Sequence, residues 1–149
     1  MKKLFSIWAA ILAIALTGCS KDDTGGVTTS AKLSPPAWIQ GSWTDEAGGT
    51  VFYRFTSDDI LQYGGEQLQE ISFKQLGVYV PGVGGATVKE TKKTDDLYEV
   101  TITASGGGDS VSGFYSFKKG NGTYIDAGTA KTGTTVDVYV RLYKKTAVN

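Results

Sequence analysis

The chain has 149 residues, equal numbers of basic and acidic side chains, one cysteine and no histidine. An intrachain disulfide is therefore impossible, and Ser-His-Asp catalysis, Cys-His catalysis and histidine-ligated zinc sites are excluded. The balanced charge gives no indication of a nucleic-acid partner, and the length suits one domain.

The first segment, residues 1–18, has the features of a secretory signal. Lys2 and Lys3 precede an uncharged, mostly apolar run over residues 4–16. This run is too short to span a bilayer, because a spanning helix needs about 20 apolar residues. Small residues follow it, as they do at a cleavage site. We therefore expect the mature chain to begin at Cys19.

The residues around that cysteine indicate a lipid anchor. Leu16-Thr17-Gly18-Cys19 resembles the lipobox of bacterial lipoproteins. The resemblance implies diacylglycerol on the Cys19 thiol, cleavage before Cys19, and acylation of the new amino terminus by a fatty acid such as palmitate. Ser20-Lys21-Asp22-Asp23 resembles the signal that sends some lipoproteins to the cell surface. We expect a protein anchored in the outer membrane and exposed on the cell surface, with the periplasmic face as the alternative.

The next segment separates the anchor from the folded part. Residues 20–36 lack aromatic side chains and are rich in Gly, Ser, Thr and Pro, a composition typical of flexible linkers. Residues 19–36 are therefore predicted to form the lipidated N-terminus and tether. The folded domain is predicted to cover residues 37–149.

Short segments that alternate apolar and polar residues fill the predicted domain, and Gly or Asp turns separate them. The segments are 42–45, 50–56, 58–63, 71–74, 78–80, 87–94, 97–104, 111–117, 123–126 and 134–143. Sequential strands with short connections predict an all-β, up-and-down antiparallel barrel of about eight strands, since closure removes unpaired strand edges. A two-sheet sandwich is the alternative.

The start and the end of this domain carry a family resemblance. Gly41-Ser42-Trp43 resembles the G-x-W signature in the first strand of lipocalins and other calycin-type barrels, including lipocalin-like bacterial lipoproteins. In that family an arginine near the carboxyl end packs over the tryptophan and closes the barrel. Arg141 is the matching position, so the resemblance implies a structural role for Gly41, Trp43 and Arg141.

Aromatic side chains are the main functional indication within the domain. Alternating strand positions carry five that are predicted to line one cavity: Tyr53, Phe55, Tyr115, Phe117 and Tyr139. A small barrel holds either its own side chains or one small ligand. The first hypothesis is a non-enzymatic domain that binds a small apolar or amphipathic ligand. The alternative is a protein- or glycan-interaction module with a packed core, including an inhibitor-like barrel.

No catalytic residue, metal site or cofactor is predicted. The doublets Asp58-Asp59 and Asp95-Asp96 are the only candidates for paired carboxylates that the motifs suggest. Adjacent strand residues point to opposite faces, so neither doublet converges on one substrate. We predict that both doublets stabilise turns, where Asp side chains bind nearby backbone groups.

Overall fold

A computed structural model describes residues 31–46, 49–64, 69–77, 79–80, 84–131, 135–136 and 138–146. The predicted signal peptide, Cys19 and residues 20–30 lie outside these ranges. The lipid anchor therefore stays a prediction from sequence.

Ten strands and one helical turn form the described part of the chain. The strands are β1 Gly41–Thr44, β2 Val51–Phe55, β3 Ile60–Gly64, β4 Gln69–Ser72, β5 Tyr79–Val80, β6 Gly84–Lys93, β7 Leu97–Gly106, β8 Asp109–Lys119, β9 Tyr124–Lys131 and β10 Tyr139–Lys144. The helical turn, α1, is Phe73–Leu76 and lies between β4 and β5. The predicted all-β class is confirmed.

All ten strands belong to one antiparallel sheet in the order β4-β3-β2-β1-β10-β9-β8-β7-β6-β5. Every hydrogen-bonded pair except β1 with β10 joins strands that are consecutive in sequence, as an up-and-down meander requires. The sheet curls, since the ring of Tyr53 on β2 contacts that of Phe117 on β8 at 5.3 Å. The barrel-like prediction is confirmed, with ten strands rather than about eight and with β4 and β5 as the two edges of a half-barrel.

Period-two alternation explains which residues the curled sheet encloses. On β7, Tyr98, Val100 and Ile102 are buried, whereas Glu99 and Thr101 between them are partly exposed. β7 pairs with β8 so that Tyr98 lies opposite Phe117 and Val100 opposite Tyr115. Apolar residues from the two strands therefore share one interior face.

Residues 31–36 pack against the sheet, although their composition predicts that they belong to the tether. Ala31 and Leu33 are buried, and the Ser34 amide donates to Glu90 Oε1 at 2.6 Å. Lys93 Nζ donates to the Ser34 carbonyl oxygen. Two apolar side chains and a carboxylate on β6 hold this segment, which has no aromatic residue. The folded domain therefore includes residues 31–36, which precede the predicted boundary near Ala37.

Candidate ligand site

Four of the five predicted lining residues lie together inside the curl. Tyr53, Phe55, Tyr115 and Phe117 are all buried. The Phe55 and Phe117 rings meet edge to face at 4.9 Å, and the Tyr115 ring meets Phe73 at 5.0 Å. Edge-to-face contacts of this kind stabilise beyond the burial of apolar area. Aromatic side chains therefore fill this part of the interior.

Tyr139 lies on the opposite face of the sheet, so the prediction that it lines the same cavity is wrong. Its hydroxyl donates to Ser116 Oγ at 3.3 Å, and Lys118 Nζ lies 3.9 Å from its ring centroid. Leu142 on the same strand is buried in the core. Positions 139 and 142 have opposite parity, so alternation directs Tyr139 outward.

Arg141 does not lie over Trp43, which corrects the role that the lipocalin resemblance implies for it. Arg141 is on the outer face, where it pairs with Asp126 at 2.9 Å and lies 3.9 Å from the Tyr124 ring centroid. The physical reason is that Arg141 adjoins Leu142, whose side chain points inward, so alternation along β10 directs Arg141 outward. The cation over Trp43 is Lys144, with Nζ at 5.8 Å from the ring centroid.

Gly41 and Trp43 do form a joint between the first and last strands. Trp43 is fully buried, its indole Nε1 donates to the Ile39 carbonyl oxygen at 2.7 Å, and it pairs with Lys144 on β10. Gly41 has a φ of 122°, a conformation that is unfavourable for residues other than glycine. A Cβ there would also approach the Lys144 side chain to 3.2 Å.

A polar group lies among the interior aromatic side chains. Gln62 on β3 is directly opposite Tyr53 on β2, and only 9% of its surface is exposed. Its Oε1 is a buried oxygen without a hydrogen-bond partner in the described residues. Burial raises the pKa of Tyr53 and, with a smaller contribution from Tyr53, the pKa of Tyr115. The interior therefore combines an unsatisfied acceptor with surroundings that disfavour charge.

Gln62 is not among the site residues predicted from the sequence. The signal that was present is its alternation with Ile60, which is fully buried on the same strand. Gln62 lies two residues after Ile60, so both side chains point to the interior, and Gln62 is a polar residue at an inward position. Such positions usually carry apolar side chains, so an exception indicates either a satisfied hydrogen bond or a binding function.

Apolar side chains continue along the interior face beyond this polar group. Val111 pairs with buried Ala104, and Val140 pairs with buried Ala127, so both valines belong to the interior face. They are nevertheless 43% and 45% exposed. The described residues therefore fill one end of the curl and leave apolar interior surface uncovered toward the other end.

The aspartate doublets hold turns rather than a reaction centre. Asp59 accepts hydrogen bonds from the Ser72 hydroxyl and the Lys74 amide, and it thereby fixes the corner between β4 and α1. Asp96 accepts from Thr94 Oγ1 at 2.7 Å within the β6–β7 turn. Within the described ranges, acidic and sulfur-bearing side chains form no cluster suited to a metal ion.

Comparisons with known proteins add no family or function. No described helix is long and apolar enough to cross a membrane. No protein-family model, curated protein or solved structure matches this chain. The lipocalin resemblance therefore stays a prediction that depends on Gly41 and Trp43.

Proposed function

We propose that this chain is a non-enzymatic, lipid-anchored protein whose curled sheet binds a small amphipathic ligand. The polar group of the ligand would donate a hydrogen bond to Gln62 Oε1, and its apolar part would cover the interior-face valines Val111 and Val140. The anchor would be Cys19 in the outer membrane. The cell surface is the expected location, and the periplasmic face is the alternative.

The unsatisfied Gln62 oxygen carries the proposal. A buried acceptor without a partner costs about 1–3 kcal/mol, so proteins rarely retain one without a reason. A ligand with a hydroxyl or N–H group would remove that cost. Because burial raises the pKa of both Tyr53 and Tyr115, the same surroundings favour a neutral donor over a charged one.

The uncovered valines support the amphipathic part of the proposal. Apolar surface that faces the interior and stays exposed to water loses the stabilisation that burial gives, roughly 25 cal/mol per Å². An alkyl chain that covers Val111 and Val140 would recover it. Small-molecule sites usually combine such an apolar lining with a few polar groups that set the orientation.

A matched pair of ligands tests the proposal: a long-chain alcohol and its methyl ether. The alcohol donates a hydrogen bond and the ether only accepts one. Titration of the mature chain carrying Cys19→Ser, followed by tryptophan fluorescence, should give about fivefold to tenfold tighter binding of the alcohol. Gln62→Leu should remove this preference, whereas Gln75→Leu, at an exposed position on α1, should retain it.

Two results would contradict the proposed function. One is that neither the alcohol nor the ether binds and that purified native protein carries no small molecule by mass spectrometry. The other is an unchanged preference for the alcohol in Gln62→Leu, since the ligand would then lie elsewhere.

The outer face of the sheet supports a second candidate, a protein- or glycan-interaction module. Tyr124, Tyr139 and Tyr143 share this face with Arg141, and Tyr143 is exposed. Tyrosine and arginine are enriched in protein interfaces. If Tyr143→Ala abolished binding to a cell-surface extract while the ligand titration stayed unchanged, this second function would be favoured.

A further inference from the structure

Three strands of the sheet end in a pair of lysines. The pairs are Lys92-Lys93 on β6, Lys118-Lys119 on β8, and Lys144-Lys145 at the end of β10. In an antiparallel meander every second strand runs in the same direction. The pairs therefore lie at one end of the half-barrel, which we call the lysine end and define by these six residues.

The six lysines of the lysine end are available to an external partner. All six are exposed. The ion pairs of Lys74 with Asp58 and of Arg141 with Asp126 involve none of the six, although Glu99 lies opposite Lys92 and Asp126 opposite Lys118 in the sheet. Three of them lie beside aromatic rings instead, with Lys119 Nζ at 6.0 Å from the Trp38 centroid. Lys93 Nζ donates to Ser34, and the charges of the other five are directed to solvent.

The carboxylates near the lysine end are fewer and mostly engaged. They are Asp58, Asp59, Glu90, Asp95, Asp96, Glu99 opposite Lys92, and Asp126 opposite Lys118. Asp58 pairs with Lys74, and Glu90 accepts from the Tyr98 hydroxyl at 2.6 Å as well as from Ser34. With Arg54, Lys74 and Arg141 included, nine basic residues face seven carboxylates, which leaves this end positive.

The opposite end of the half-barrel has the reverse charge. Its described charged residues are Asp45, Glu46, Glu70, Asp109 and Lys131. Four carboxylates against one lysine leave it negative. The charge of the whole chain is balanced, but positive and negative charges are separated along the strands. Such a separation orients a protein in an external field.

The tether gives either end access to a membrane. Ala31 packs against Gly77, where an added Cβ would lie 2.6 Å from the Ala31 Cβ, so the chain enters the fold beside α1. Residues 19–30 precede that point, and an extended chain reaches about 3.5 Å per residue. The extended length of residues 19–30 is greater than half the length of a ten-residue strand, which rises about 3.3 Å per residue. Charge, rather than reach, therefore decides which end faces the bilayer.

We propose that the lysine end docks on a membrane surface rich in anionic headgroups. This inference builds on the proposed Cys19 anchor, which would keep the lysines at high effective concentration near that surface. Anionic headgroups attract basic side chains within about a Debye length, and a basic patch is a common second signal beside an acyl chain. The opposite end, with the exposed interior valines, would then face away from the bilayer.

Vesicle co-sedimentation tests the docking surface without the anchor. The mature chain carrying Cys19→Ser is mixed with phosphatidylcholine vesicles, or with vesicles in which about one third of the lipid is phosphatidylglycerol. We expect binding to the anionic vesicles alone, weakened by added salt. Replacing Lys92, Lys119 and Lys145 by Gln should weaken it about a hundredfold, since each surface lysine contributes roughly fivefold.

A control variant, Lys131→Glu with Ser110→Glu, lowers the net charge by the same three units at the opposite end of the half-barrel. It should bind nearly as the parent does. Equal loss in both variants, or equal binding to uncharged vesicles, would overturn the proposal. Binding to heparin without binding to anionic vesicles would also overturn it, because the occupant would then be a soluble polyanion. The Gln62→Leu variant should bind vesicles normally. The docking proposal and the ligand proposal can therefore be rejected separately.

Discussion

Lys144 Nζ lies 5.8 Å from the centroid of the Trp43 ring, where β1 and β10, the first and last strands in the chain, pair. Trp43 is fully buried, and its indole donates to the Ile39 carbonyl oxygen. The amide of the next residue, Lys145, donates to the Ser42 carbonyl oxygen at 2.8 Å. The pair thus marks the joint that connects the two halves of the meander, β1–β4 and β5–β10.

Replacement of Lys144 should weaken this joint. Lys144→Gln is expected to lower the free energy of unfolding by roughly 0.5–1 kcal/mol, the usual contribution of an exposed cation over an aromatic ring. It should also shift the Trp43 indole resonance in NMR spectra. Arg141→Gln serves as the control and should leave that resonance in place. If Arg141→Gln shifted the Trp43 resonance and Lys144→Gln did not, Arg141 would have the role that the family resemblance implies.

Alternation alone was enough to predict much of this fold. The predicted segments 87–94 and 97–104 and the turn at Asp95-Asp96 between them correspond to β6, β7 and the turn that joins them, and alternate residues of β7 are buried. The same parity rule places Arg141 and Tyr139 outward. The implied contact of Arg141 with Trp43 was wrong because it depended on a family pattern that conflicts with this local alternation.

Other features depend on contacts between distant residues and were beyond local patterns. Phe73, predicted to continue a strand, instead begins α1, because Asp59 accepts hydrogen bonds from both Ser72 and Lys74. Residues 31–36 join the domain through Glu90, which is far away in sequence. The candidate site was missed for a similar reason, since the lack of a partner for Gln62 Oε1 is visible only in three dimensions.

Gly128 on β9 should tolerate no side chain. A Cβ there would overlap Val136 Cγ1 and lie 3.1 Å from the Tyr139 ring. Gly128→Ala is therefore expected to destabilise the fold by about 1–3 kcal/mol in urea unfolding, as overpacking generally does. Gly64→Ala is the matched control, because a Cβ there meets nothing within 4 Å. Equal stability of the two variants would show that residues 135–136 do not pack on Gly128.

Stability should fall in alkaline solution because of the buried tyrosines. Burial raises the pKa of Tyr53, Tyr98 and Tyr115 above the ordinary value of 10.0. The folded state therefore keeps these protons after the unfolded state has lost them, so the stabilisation present below pH 10 declines as pH rises further. Tyrosinate absorbance should show these three ionising together with unfolding. Their gradual titration in a folded protein would contradict their burial.

The segment over residues 31–36 should contribute to global stability. Leu33 is buried although no strand contains it. Leu33→Ala is expected to cost about 2 kcal/mol, at the low end for a buried leucine because an irregular segment relaxes more easily than a strand. Lys32→Ala, at the exposed neighbouring position, should be nearly neutral. If both variants unfolded at the same urea concentration, the segment would belong to the tether after all.

Gln62→Leu separates a structural role from a binding role. If Gln62 Oε1 is an unsatisfied acceptor in the free protein, an apolar side chain of similar size should leave stability unchanged or raise it by about 1 kcal/mol. A glutamine whose hydrogen bonds supported the fold would behave in the opposite way, and its loss would cost about 1–3 kcal/mol. Urea unfolding of the ligand-free protein measures the difference directly. Unchanged or increased stability, combined with loss of the preference for the alcohol, would assign Gln62 to ligand binding, because a structural residue cannot be removed without loss of stability.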